Sequence, residues 1–398
     1  MTILFVHNTS DLYGASRSLL RLVARLQAEG HRTVVVLPEH GPLEAELSRA
    51  GAQTAVHPRL AFVERRAFTP LGLLRLFAVL PVSILEILRL MRRHSVDVVH
   101  TNTALILSSP VAALLGRRPH VWHIREFFSE FPGLWRVHRR IMLRLADAVV
   151  AVSAAVGRQF AGADLSGRVR VIHDGFPREE FEGVTGERVA AFRARFGLNG
   201  GPVAGLVGRI KLGRKGQDVF IEAISRMAGR LPEAKFLLIG SPFPGNEDQL
   251  AKVEQMIARY GLEDRVIYTG DVADIKAAFA ALDVTVLPTT LPEPFGGVVV
   301  ESMAMGKPVI GTRLGGTVEQ IEDGATGILV SPGDAEGLAQ ALEKLLADSR
   351  LRSGMGASGR RRFLERFEFE PFYAQISRLY EGLIRCRTRG VEPCQESS

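Results

Sequence analysis

Short apolar runs alternate with helical stretches along this chain, and the pattern is laid down twice. In the first half Ile3 to His7, Val34 to Leu37, Asp97 to His100, His120 to Ile124, Ala148 to Val152 and Val169 to Ile172 read as strands. In the second half Val203 to Val207, Lys235 to Ile239, Val266 to Tyr268, Val284 to Leu287 and Pro308 to Gly311 do the same. Leucines at helical spacing, as from Ser16 to Leu26, mark the segments between. Strands that are apolar at nearly every position are covered on both faces. Joined through helices, they pair in parallel. The expected class is α/β, with two Rossmann-like, doubly wound parallel-sheet domains.

A chain of 398 residues has room for two domains. The glycine-rich run Gly197 to Pro202 is the clearest linker. It sets a first domain at 1–196 and a second at 197–370, with 371–398 left for a terminal helix and a polar tail. Hydrophobic content of 46% and charged content of 23% are those of a soluble globular protein. Cys386 and Cys394 form neither a disulfide framework nor a metal-ligand spacing, which suits a reducing compartment. The N-terminus reads as a first strand, not as a secretory leader.

The net charge of +7 is uneven: residues 1–196 carry +9 and residues 197–398 carry −2. Arginine pairs at 65–66, 92–93, 117–118 and 139–140 account for much of the excess. A basic half suits an anionic partner, either membrane lipid or a lipid-phosphate acceptor, or is an arginine-rich surface that reflects codon usage alone, since no lysine precedes Lys211. No nucleic-acid motif accompanies it, and no nucleic-acid partner is expected. Ala67 to Arg93 is strongly apolar but interrupted by Arg75, Pro81, Glu86 and Arg89. Two readings stand: a core helix of the first domain, or an interfacial helix resting on a membrane beside the arginine pairs. Gly354 to Gly359, GMGASG, satisfies a dinucleotide-binding spacing but follows a helix instead of a strand, so a helix–helix turn is expected there.

Chemistry concentrates in Glu293 to Gly306, EPFGGVVVESMAMG. Gly296 and Gly297 stand where a helix begins, and unpaired amides there with the helix dipole favour a phosphate. Glu301 falls one turn into that helix, where a carboxylate can accept bonds from the vicinal hydroxyls of a ribose. Glu293, in the preceding loop, is free to face a sugar. The loop Gly208 to Gly216 follows the second domain's first strand, and its Arg209 and Lys215 can neutralise a diphosphate. Lys211 and Arg214 compete with Lys215 for that contact.

The Glu293–Glu301 element, with Gly306 to Asp334 after it, resembles the acidic signature of retaining family 4 glycosyltransferases, which have the GT-B fold. The loop at 208–216 is similar to the basic element of the same family. The resemblance implies two domains facing a central cleft, and terminal helices, here about Pro371 to Arg387, crossing back to the first domain. It implies a donor site built from Gly14, Arg209, Lys215, Glu293, Phe295, Gly296, Gly297 and Glu301, with an acceptor bound by the first domain. His123, at a strand end, resembles the family's active-site histidine and is expected to point into the cleft and act with Glu293 in catalysis. The Asp that often follows that histidine is absent, leaving Glu126 as a substitute. His173–Gly175 is expected to be an interdomain hinge reaching the donor. Gly315, Gly316 and Glu319 are expected to shape the pocket around Glu301.

The implied reaction moves a sugar from a UDP- or GDP-linked donor to a lipid-linked or saccharide acceptor in envelope polysaccharide synthesis. The implied place is the cytoplasm or the inner face of the inner membrane. With no D-x-D triad, neither a metal nor any other cofactor is expected, and the nucleotide sugar is a co-substrate. A nucleotide-sugar epimerase, a soluble glucan or disaccharide synthase, or a non-catalytic nucleotide-sugar-binding subunit remain open on the same fold.

Overall fold

In a computed structural model the described residues are 1–398 except 64–68, 129–131, 165–166, 199, 228 and 390–398. The arginine pair at 65–66, the start of the apolar stretch at Ala67, Asn199 and Cys394 lie outside them. The strands are β1 (Thr2–Val6), β2 (Arg32–Leu37), β3 (Gln53–Val56), β4 (Val98–Thr101), β5 (His120–Ile124), β6 (Ala148–Ala151), β7 (Val169–Val171), β8 (Val203–Val207), β9 (Lys235–Ile239), β10 (Val266–Gly270), β11 (Val284–Leu287), β12 (Val309–Thr312) and β13 (Gly327–Val330). They form a seven-stranded sheet, β3-β2-β1-β4-β5-β6-β7, and a six-stranded sheet, β10-β9-β8-β11-β12-β13. Every strand pair in both sheets is parallel. Two edge strands went unread in the sequence. QTAV of β3 is half exposed, and GILV of β13 begins on a glycine, so neither carries the continuous apolar signal of the central strands.

The chain divides into one unit of Met1–Gly175 with the residues from Glu370 onward, and a second unit of Phe176–Phe369. The expected boundary at 196/197 therefore shifts. Residues 176–196 belong to the second unit because their partners do. The Phe176 amide donates to the Phe367 carbonyl at 2.9 Å. The Phe181 ring meets Phe363 edge-on at 5.8 Å. Arg188 forks onto Asp274 with both bonds at 2.8 Å.

In the first unit the two sheet faces carry different layers. Leu4, Val6, Val34, Val36 and Val99 pack against Ile87, Leu88 and Met91 of the helix Pro70–Arg93 and against Ala112 and Ala113 of the helix Ser108–Leu115. Trp122 shares that face and meets His138 of the helix Pro132–Leu145. Phe5 and His100 point to the other face, where Tyr380 of the terminal helix Phe369–Arg389 donates its hydroxyl to His100 Nδ1, or accepts from it, at 2.6 Å. Glu370 pairs with Arg25, and the Tyr373 hydroxyl donates to Glu29 at 2.5 Å, on the same side.

The apolar stretch before Arg93 is a core helix over only part of its length. After Pro81 the helix buries Ser83, Ile87, Leu88 and Met91, whereas before it no residue is buried. Gly354 to Gly359 is not a turn. It lies inside the helix Ser349–Arg366, and a Cβ on Gly356 would fall 2.0 Å from the Gly306 carbonyl oxygen. The glycine there allows this helix to press against the end of the helix Gly297–Ala304. Arg360 adds a bond to the Ala304 carbonyl.

Candidate active site

In the second unit strand order reverses between β8 and β11. Ligands of open parallel sheets bind beyond the carboxyl ends of strands at such a point. The two loops there are 208–216 and 288–296. They touch through backbone: the Thr290 amide donates to the Arg214 carbonyl at 3.1 Å. Gly216 has φ +77°, and a Cβ on it would lie 1.9 Å from the Pro288 carbonyl oxygen. Only glycine allows that approach in that conformation. The fully buried Gln217 ties the first loop down, donating to the Arg209 carbonyl at 2.8 Å and accepting from the Lys211 amide at 3.4 Å.

Lys215 and Glu293 meet where the loops meet. Lys215 Nζ donates to Glu293 Oε1 at 2.6 Å, with the carboxylate side chain 12% exposed. Arg209 lays its guanidinium over the exposed Phe243 ring, 4.4 Å from the centroid, a cation–π contact. The Glu293 backbone is held from a third loop. Its carbonyl accepts from the Gly316 amide at 2.8 Å, and Gly315, at φ +61°, packs so close that a Cβ would lie 2.4 Å from that carbonyl oxygen. Gly315 and Gly316 thus shape the surroundings of Glu293.

The helix Gly297–Ala304 starts where expected; its cap residue, Gly296, offers no side chain to the first amides, and the Gly297 amide donates to the Phe295 carbonyl at 3.0 Å. Glu301 is half-buried, one turn in. Gly296 is buried for packing reasons: Gln320 Nε2 donates to its carbonyl at 3.2 Å, and a Cβ would stand 3.1 Å from both Gln320 Oε1 and Leu287. Gly297 has ordinary room around it. Phe295 turns into an aromatic cluster, stacking on Phe176 at 6.5 Å and meeting Phe367 edge-on at 6.0 Å, so it anchors the loop through packing. Sequence reasoning missed the polar groups beside it. Thr289 Oγ1, Thr317 Oγ1 and Gln320 Oε1 are buried with no hydrogen-bond partner among the described residues. A lone threonine or glutamine carries no spacing signal that would have found them.

In the first unit the reversal lies between β1 and β4. Gly14 opens the helix Gly14–Ala28, exposed and with nothing within 4 Å of where a Cβ would stand. Asp11 sits at that helix start, accepting from the Tyr13 amide and from Ser16 Oγ, both at 3.0 Å. Since Ser16 donates there, His7 Nε2 donates to Ser16 at 3.0 Å, and its Nδ1 accepts from Asn102 at 3.3 Å.

His123 does not point out of the sheet edge. It is 0% exposed, its ring lies 5.4 Å from that of His100, and neither ring nitrogen has a hydrogen-bond partner among the described residues. Glu126 does not stand in for a missing Asp beside it. Its carboxylate accepts from Thr103 Oγ1, the Ala104 amide at 3.1 Å and the Arg125 amide at 2.9 Å, and burial raises its pKa. The charge nearest the histidines is Arg125. It forks onto Asp174 at 2.5 and 2.9 Å and also reaches Asn102 Oδ1 and Ser18 Oγ, each at 3.0 Å. Asp174 accepts a further bond from Ser18 at 2.6 Å. The Asp174 carboxylate is thus engaged inside the first unit.

Burial, aided by Arg125, holds His123 and His100 well below the usual imidazole range. Burial likewise lowers His7 to about 4 and His120 to about 3. All four are neutral in the fold, while the unfolded chain takes up protons near 6.5. Their contribution is whole above that value and is lost as pH falls through it, at about 1.4 kcal/mol per histidine per pH unit. Denaturant midpoints are therefore expected to drop steeply between pH 6.5 and about 4, and less so in His7→Gln. A flat profile across that window would contradict the neutral assignment.

Among the described residues no group of three or more His, Cys, Asp or Glu side chains is arranged to hold a metal ion. Two family profiles match, described as Glycosyltransferase Family 4 over residues 13–180 and Glycosyl transferases group 1 over 201–348. A lipopolysaccharide core biosynthesis glycosyltransferase, LpsE of Rhizobium meliloti, is 31% identical over 62% of this chain and 69% of its own length. The chain belongs to glycosyltransferase family 4. A second relative of this family 4 glycosyltransferase is the GDP-mannose-dependent alpha-(1-6)-phosphatidylinositol monomannoside mannosyltransferase of Mycolicibacterium smegmatis. It is 29% identical over 75% of this chain and 80% of its own length. Among solved structures, Anabaena Alr3699/HepE in complex with UDP has a TM-score of 0.81 and 26% identity, covering 95% of this chain and 99% of that one. The fold of the family 4 enzyme is GT-B: two Rossmann-like units, one on each sheet.

Proposed function

We propose that this glycosyltransferase moves a sugar, with retention of configuration and without a metal, from a UDP- or GDP-linked donor to a lipid-linked or saccharide acceptor of an envelope polysaccharide. The observation that carries the reading is the Lys215–Glu293 pair, fixed by three loops beside the uncapped start of the helix Gly297–Ala304. A cation, a helix start with its dipole and a carboxylate within one loop cluster suit a diphosphate joined to a sugar. In this assignment Gly296 and Gly297 receive the phosphates, Glu301 the ribose and Glu293 the sugar. Arg209 and Lys215 balance charge as the bond from the sugar to the diphosphate breaks. The acceptor hydroxyl attacks from the same face and passes its proton to the departing phosphate oxygen. Gly14 and neutral His123 belong to the reacting centre in this assignment.

Relatives and structural neighbours bear names that speak of GDP-mannose, of lipopolysaccharide core and of bound UDP, which favours these two nucleotides and a lipid-borne acceptor. That chemistry belongs at the cytoplasmic face of the inner membrane. The test is a thermal-shift screen with UDP, GDP, ADP and their sugars, followed by label transfer from the best donor to membrane extract. One nucleotide should raise the unfolding temperature, since ligand bound only to the fold stabilises it. Label should then enter the organic phase. A protein indifferent to every nucleotide would overturn the reading.

A further inference from the structure

The helix Pro70–Arg93 is long and strongly apolar, with a mean hydropathy of 2.1 over its richest 18 residues, yet only 17% of that stretch is buried. Leu71 is 80% exposed, and Leu74 and Phe77 are 68% exposed each. Leaving such side chains in water is costly, and a cluster of them marks an interaction surface. Pro81 removes a backbone hydrogen bond at the point where burial begins, so the exposed half is set off from the built-in half. A second helix of the same layer repeats the feature. Pro132–Leu145 turns Trp135, His138 and Met142 inward and leaves Leu134, Val137 and Ile141 exposed. In a parallel sheet the connecting helices run against the strands. The exposed starts of both helices therefore lie toward the carboxyl edge of the sheet, where Val6, Thr101 and Ile124 end their strands.

The charge on this layer is almost of one sign. The helices Pro70–Arg93, Ser108–Leu115 and Pro132–Leu145 with Arg117 and Arg118 carry ten arginines and one glutamate. That glutamate, Glu86, faces His57 at 3.1 Å. Arg75, Arg136 and Arg140 are exposed among the apolar residues. Apolar side chains interleaved with arginines fit a surface that is apolar within and negative at its face. A second copy of this chain would bring like charges together. A membrane span needs about 20 apolar residues. It would have to draw Ile87, Leu88 and Met91 out of the core they share with β1, β2 and β4. The free portion before Pro81 is about 16 Å long, enough to lie in an interface but not to cross one.

We propose that the exposed half of the helix Pro70–Arg93 and the outer face of the helix Pro132–Leu145 seat this chain in the plane of an anionic lipid bilayer. It rests on the proposed function for its purpose, because a lipid-linked acceptor brings the enzyme to a membrane, but the test reads binding alone. The full chain is sedimented with vesicles of phosphatidylcholine, with and without phosphatidylglycerol, at low and high salt. Binding is expected only with the anionic lipid at low salt, since salt screens surface charge. Leu74→Glu/Phe77→Glu should weaken it roughly a hundredfold or more, and Arg136→Gln/Arg140→Gln roughly tenfold. Both variants should keep the parent's unfolding midpoint and its nucleotide-induced thermal shift. Wild-type protein that stays in the supernatant with anionic vesicles overturns the proposal. So does a Leu74→Glu/Phe77→Glu variant that binds like the parent, or a dimer in solution that this variant dissolves. If binding fails while nucleotide still stabilises the fold, only the docking surface falls; if binding holds without any nucleotide shift, only the proposed function does.

Discussion

Glu293→Ala is expected to slow sugar transfer by roughly 10²–10³-fold, the loss seen when one preorganised charged or hydrogen-bonding group is taken from a reacting centre. The fold should hardly notice. Glu293 is fixed through its backbone, by the Gly316 amide and by contact with Gly315, and those bonds survive the substitution. Its side-chain partner, Lys215, keeps 26% exposure and can hydrate its ammonium group. The stability change should therefore stay within about 1 kcal/mol. Glu293→Gln separates charge from hydrogen bonding, because the amide oxygen still accepts from Lys215. In the proposed assignment Glu293→Gln recovers part of the rate. Release of nucleoside diphosphate from the donor found by the thermal screen measures both variants. Transfer at close to the parental rate in Glu293→Ala would remove Glu293 from the chemistry.

Arg125→Ala should produce the opposite profile, a failure of folding first. The Arg125–Asp174 pair is nearly dry, with side chains 9% and 8% exposed, and five bonds converge on it from Asp174, Asn102 and Ser18. Removing the guanidinium leaves the Asp174 carboxylate buried without its cation. Breaking one side of such a pair typically costs about 3–5 kcal/mol. Set against a total of about 5–15 kcal/mol, that puts the protein near its unfolding threshold. Taking both charges away should hurt less, so Arg125→Met/Asp174→Leu is expected to be more stable than Arg125→Ala. Urea unfolding of the three proteins checks this. An Arg125→Ala midpoint equal to the parent's would mean that the pair contributes nothing. Arg125 also helps keep His100 and His123 neutral, so the double variant should show a gentler acid limb than the parent.

The sheets and the donor-side loops were legible because both rest on local patterns. Eleven of the thirteen described strands announce themselves as apolar runs, and Gly296, Gly297 and Glu301 fall at the helix start that their spacing implies. What escaped depends on contacts distant in sequence. Arg125 finds Asp174 across 49 residues and Lys215 finds Glu293 across 78. No periodicity encodes either pairing. The family resemblance suggested that Glu126 serves His123, but burial and hydrogen bonding direct its carboxylate elsewhere. The glycines at 354–359 misled for a related reason. Glycine marks turns in most sequences, and here it serves a helix pressed against a neighbouring backbone. The boundary moved from 196 to 175 because aromatic packing by Phe176 and Phe181 outweighs a glycine-rich run as a sign of where one unit ends.

The claim on which the proposed function turns is that the helix beginning at Gly297 holds the donor's diphosphate and pentose. A structure of the complex with whichever nucleoside diphosphate raises the unfolding temperature addresses it directly. The phosphates should lie at the Gly296–Gly297 helix start, with both ribose hydroxyls on the Glu301 carboxylate. Nucleotide bound elsewhere, with Glu301 turned away from it, would contradict the account.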